Sequence, residues 1–155
     1  MRTNVIVSAI LVFIGIQSVK AQLNYRLNTD LIPYNYDIYI KPYLLPSDGA
    51  KQFTFDGQVN ITFRTVRVTL QEIVLHKDDI EIREVLLRDP TGTLVQNVSL
   101  TTMSYETATD KLTIPLQNFL TPNVNYTLSL KYEGQIRDGM EGVFRVNTTD
   151  PKGYS

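Results

Sequence analysis

Metal-assisted and acid–base chemistry draws on histidine, cysteine and carboxylates held at short spacing. This sequence of 155 residues has one histidine, His76, and no cysteine. A catalytic zinc site takes three protein ligands, and two histidines one helical turn apart are the usual start of one. His76 instead stands alone at the end of the apolar run 73–76 and faces Lys77-Asp78-Asp79, so it reads as an ordinary strand-end residue. Asp78, Asp79 and Glu81 are an acidic cluster, but alternation places Asp79 and Glu81 on one polar face, and an oxygen-rich cation site needs more ligands in a wrapped loop. A solvated face is expected there. Gly139-Met140-Glu141-Gly142 reads as a glycine-flanked loop that exposes its glutamate. No Gly-x-Ser-x-Gly elbow, phosphate loop or dinucleotide glycine pattern is found. No catalytic, cofactor-binding or metal-binding residue is therefore assigned.

The chemistry that the sequence does offer is modification. Asn-x-Ser/Thr triplets without proline begin at Asn60, Asn97, Asn125 and Asn147, and each is a candidate glycan acceptor if the chain enters the secretory pathway. The N-terminus predicts that it does. Arg2 supplies a positive start, residues 5–16 are almost wholly apolar, and Val19-Lys20-Ala21 puts small residues at the two positions that a signal peptidase reads. Cleavage is expected after Ala21. The apolar run falls short of the roughly 20 residues that cross a bilayer, and no second such run follows, so the mature product is expected to be extracellular with no membrane span.

The positioning elements follow from composition and period. A chain with 43% hydrophobic and 20% charged residues has the balance of a folded domain, and this length suits one domain. Fifteen basic residues against sixteen acidic ones, with no basic cluster, argue against a nucleic-acid partner. Period-two alternation dominates and helix signals are nearly absent. Strands are expected over 36–41, stopped by Pro42; 53–68, with a bulge near Gly57; 73–76; 80–87; 94–100; 103–105; 112–116; and 126–132, ended by Glu133-Gly134. Pro46-Ser47-Asp48-Gly49 and Asp89-Pro90-Thr91-Gly92 have turn chemistry. The second of these joins a hairpin, and Thr107-Ala108-Thr109-Asp110 joins another, whose Pro115 implies an edge or a bulge. The fold class is all-β, an antiparallel sandwich or a curved, saddle-like sheet.

Three stretches carry a resemblance. Tyr25-Arg26-Leu27, Pro33 and Tyr36-Asp37-Ile38-Tyr39-Ile40-Lys41-Pro42 form the first. Phe55-Asp56-Gly57-Gln58-Val59-Asn60-Ile61, Thr69 and Ile73-Val74-Leu75-His76 form the second. Leu120, Tyr126-Thr127-Leu128, Tyr132-Glu133-Gly134 and Gly142-Val143-Phe144-Arg145 form the third. In this order and spacing they resemble the N-terminal domain of M1-family zinc aminopeptidases of the aminopeptidase N type, across nearly all of residues 22–155. Asn28 stands where that family usually has proline, Asn35 where it often has histidine, and Val143-Phe144 where it tends to have Phe-Tyr.

The resemblance implies a non-catalytic β domain of an enzyme that removes N-terminal residues from peptides with zinc. The family's substrate-contacting glutamine segment, its Gly-x-Met-x-Asn loop and its His-Glu-x-x-His helix do not occur in this sequence. Beside the least favoured reading, an unrelated adhesion-type sandwich whose strand pattern matches by coincidence, two readings follow. In one, the chain is part of a longer enzyme, whose partners are the missing catalytic domain and peptide substrates, and it exposes apolar surface where that domain docks. In the other, it is a stand-alone, catalytically silent secreted module that binds a protein or peptide.

Overall fold

The computed structural model describes residues 23–66, 68–138 and 142–146. The expected leader with its cleavage point after Ala21, the triplet at Asn147, and Gly139 to Glu141 lie outside the described residues. Strands β1 (Leu31–Tyr43), β2 (Thr54–Thr65), β3 (Glu72–His76), β4 (Ile80–Arg88), β5 (Leu94–Asn97), β6 (Ser104–Glu106), β7 (Lys111–Pro115) and β8 (Asn125–Gln135) account for the architecture. They form an antiparallel five-stranded sheet in the order β1-β2-β8-β4-β5 and an antiparallel three-stranded sheet in the order β3-β7-β6.

The alternation explains how the two sheets meet. Ile61 and Phe63 of β2, Val85 and Leu87 of β4, and Tyr126, Leu128 and Leu130 of β8 turn one way, and together with Ile73, Leu112 and Ile114 of the smaller sheet they form one buried cluster. Burying side chains of this size contributes about 1.5–3 kcal/mol each before entropy is set against it. A buried amide adds a polar clip between the layers. Gln96 of β5 donates from Nε2 to the Pro115 carbonyl at 3.1 Å and accepts at Oε1 from the Gln117 N–H at 3.0 Å.

Four expectations from the sequence are corrected. Pro42 does not stop β1, which runs on to Tyr43. β1 is an edge strand of the five-stranded sheet, where a missing N–H need cost no ladder bond. Gly57 is no bulge, since β2 keeps unbroken register with β8 across it. It is there because a Cβ at Gly57 would lie 2.2 Å from Cε2 of the Tyr132 ring. Gly134 likewise does not end the last strand but pairs within β8 opposite Phe55, where a Cβ would lie 2.2 Å from Cζ of that ring. Each glycine is thus roofed by an aromatic ring from the neighbouring strand, and the two rings meet edge to face with centroids 6.3 Å apart. Finally, Pro115 does not put its strand at an edge: β7 is central. The proline is accommodated because β6 pairs only with Lys111 to Thr113 and has ended before it.

The turns behave as their residues dictate, with one exception. Asp89 accepts at Oδ1 from the N–H groups of Thr91 and Thr93 at 2.9 and 3.0 Å and from the Thr91 hydroxyl at 2.7 Å, while Gly92 takes φ 84°, which favours glycine. These bonds, led by the Thr91 hydroxyl, hold the Asp89 carboxyl below its ordinary range. Pro46-Ser47-Asp48-Gly49, expected as a turn, lies within a short 3₁₀ segment, Pro46–Lys51.

Candidate functional site

The residues with possible metal chemistry do not converge. His76 is exposed at the end of β3, and its Nε2 lies 2.8 Å from the Tyr25 carbonyl oxygen. Asp79 pairs with Arg137 at 2.7 Å and Glu81 with Arg83 at 2.6 Å, so these carboxylates serve surface ion pairs. Among the described residues no group of three or more His, Cys, Asp or Glu side chains is arranged to hold a metal ion. No helix among them is long and apolar enough to cross a membrane.

The triplet asparagines do fall into a pattern. Asn60 of β2 and Asn125 at the start of β8 line one groove of about 680 Å³ on the polar face of the five-stranded sheet, opposite the core. Asn60 is half-buried and Asn125 exposed; Asn97, at the end of β5, is exposed outside that groove. Glu84 and Lys131 also line the groove and form an ion pair of 2.9 Å. The co-location of Asn60 and Asn125 was not legible in the sequence, because it depends on β2 pairing on its second side with β8, which is distant in the chain.

On the opposite face an apolar opening of about 370 Å³ lies where the smaller sheet fails to cover the larger. Its walls include Tyr36 and Ile38 of β1, Val59 and Ile61 of β2, Ile82 of β4 and Leu75 of β3. Tyr36, Ile38 and Ile40 are 55%, 58% and 45% exposed, although their partners across the ladder are Ile61, Val59 and Gly57 on the core-facing side of β2. An apolar stripe of this kind on a strand is suited to being covered, not to moving protons.

A polar cluster closes the far end of β1. The Tyr43 hydroxyl donates to Asp56 Oδ2 at 2.5 Å, and Lys51 Nζ reaches the same carboxylate at 3.1 Å. The Tyr43 bond first, and then Lys51, hold the Asp56 carboxyl below its ordinary value of 3.8. Lys41 and Lys51 both stand over the Tyr43 ring, 5.0 and 4.8 Å from its centroid. Beyond β8, Arg145 packs on the Phe53 ring at 4.1 Å and pairs with Asp138, a hydrogen bond that pulls the Asp138 carboxyl down. These contacts pin loops to the sheet.

Comparison with known proteins agrees with the β-rich architecture described above. The peptidase M1 N-terminal domain family matches residues 32–155. Aminopeptidase N of Canis lupus familiaris is 28% identical over 132 residues, which are 82% of this chain and 13% of that protein. Membrane alanyl aminopeptidase of Manduca sexta is 28% identical over 136 residues, 84% of this chain and 14% of that protein. Aminopeptidase Q of Mus musculus is 30% identical over 125 residues, 77% of this chain and 22% of that protein. The chain therefore spans less than a quarter of the length of these relatives.

Proposed function

Because the chain belongs to the peptidase M1 N-terminal domain family, we propose that it is the non-catalytic β domain of a zinc-dependent aminopeptidase, an enzyme that removes N-terminal residues from peptides. In this reading its work is to dock on the catalytic unit and help frame the approach of peptide substrates, while zinc and the reacting groups belong to that unit. One observation carries the reading: Tyr36, Ile38 and Ile40 present an apolar stripe to solvent on the core-facing side of the sheet, where a further layer would bury it. The leader-like N-terminus supports secretion, with cleavage after Ala21. The exposed positions of Asn97 and Asn125 favour them as glycan acceptors over the half-buried Asn60.

Sequencing of transcripts past the codon for Ser155 tests this directly. An in-frame continuation into a His-Glu-x-x-His segment is the expected result, and a stop codon there overturns it. In parallel, the recombinant chain with added zinc is expected to leave aminoacyl reporter substrates uncleaved. Hydrolysis abolished by a chelator would sink the assignment of a non-catalytic role. The second reading, a stand-alone secreted module binding a protein or peptide, is favoured by the edge of β1, which has no partner strand among the described residues, and becomes the leading one if the transcript stops.

A further inference from the structure

The edges of the two sheets are unequal. β5 has four residues, β6 three and β3 five, in keeping with the usual protection of edges by shortness. β1 is an edge strand of thirteen residues, and one whole side of its backbone has no partner strand among the described residues. Between Pro33 and Pro42 it offers a proline-free run, Tyr34 to Lys41, rich in Tyr and Ile, the composition that pairs best. Pro33, Pro42 and the irregularity between Pro33 and Asn35 guard the ends of this edge, and the regular apolar run between them is a template for another strand.

The residues of β1 say which strand. When two copies lie antiparallel with Tyr39 opposite Tyr39, Asp37 of each copy faces Lys41 of the other, and Ile38 faces Ile40. Asp37 and Lys41 share the outward face with Tyr39, since their ladder partners are Asn60, Asp56 and Gln58, while Ile38 and Ile40 share the core-facing side. Asp37 makes no ion pair among the described residues. A slip of two residues in either direction sets both charges against tyrosine or asparagine, and a slip of one turns the apolar stripe of one copy to the polar side of the other. Only the Tyr39-centred register joins the two apolar stripes and pairs all four charges.

We propose that two copies of this chain associate through β1, antiparallel about Tyr39, so that their five-stranded sheets become one continuous sheet with twofold symmetry. The joint is made by backbone hydrogen bonds, and its register is set by the reciprocal Asp37–Lys41 pairs. It uses the strand edge rather than the apolar face invoked for docking, and so does not depend on that assignment.

Sedimentation of the chain, expressed in a secretory host and freed of N-glycans, is expected to give the mass of two copies at about 100 μM, where small interfaces register. A single-copy mass at that concentration overturns the proposal. Asp37→Lys and Lys41→Asp each oppose like charges twice and are expected to weaken the dimer about tenfold, while the double variant restores it. Equal behaviour of all three shows the register to be wrong. The natural absence of cysteine allows a second readout that does not rest on affinity. Facing residues of an antiparallel pair have Cα atoms about 4.5–5.5 Å apart, within disulfide reach, so Tyr39→Cys should cross-link copy to copy under mild oxidation. Leu94→Cys, on the opposite edge at β5, should not. Equal cross-linking at both positions, or at neither, overturns the model of the joint.

Discussion

β1 and β8 are the two long alternating strands at opposite ends of the described chain, they lie in the same sheet, and each carries aromatic and aliphatic residues at every second position. Their environments differ. In β8, Tyr126, Leu128 and Leu130 are buried, with β2 on one side, β4 on the other and the smaller sheet across the core. In β1, Tyr36, Ile38 and Ile40 stay exposed because the strand has one neighbour and the smaller sheet covers its inner face only in part, leaving the opening beside Leu75. The same pattern is thus core in one place and exposed surface in the other. The difference lies in the neighbours of each strand, not in its own residues.

The comparison can be broken most forcefully at β8. Leu128→Ala removes a side chain that is 1% exposed and is expected to cost about 2–5 kcal/mol by opening a cavity, read as a lower urea midpoint with an unchanged slope. Gly57→Ala tests the aromatic roof between β2 and β8. Its Cβ has to displace the Tyr132 ring, at an expected cost of about 1–3 kcal/mol, and a neutral result would show that the ring swings away freely.

The polar end of β1 gives a smaller, pH-dependent effect. The Asp56 carboxyl is lowered by Tyr43 and Lys51, so its contribution is present above the ordinary carboxylate value near 3.8 and is lost as pH falls through the lowered folded value. Asp56→Asn should be less stable than the parent at neutral pH, and the gap should close in acid denaturation series below about pH 4. Because the cluster is exposed, screening keeps the effect slight, and about 1 M salt should erase much of it. Ile38→Ala, at 58% exposure, should shift stability by no more than about 0.5 kcal/mol while weakening any assembly through β1. A loss as large as that of Leu128→Ala would mean that β1 belongs to the core after all.

The sequence by itself determined the class of fold, because period-two alternation with turn residues between runs leaves few alternatives to packed antiparallel sheets. It located both hairpins, since Asp89 to Gly92 and Thr107 to Asp110 act within a few residues of themselves. It also carried the family resemblance, through short motifs whose order is visible in one dimension. Pairing between distant segments was not written locally. Gly57 and Gly134 looked like a bulge and a terminator, yet both are strand positions left bare for rings that belong to the adjacent strand in space. Pro42 and Pro115 looked like a stop and an edge marker, and their meaning depended on which neighbour lay on the N–H side. Asn60 and Asn125 became occupants of one groove only when β8 came to lie beside β2. Alternation states that one face of a strand is apolar; only tertiary structure decides whether anything covers it, because burial is a property of neighbours that the strand's own residues do not contain.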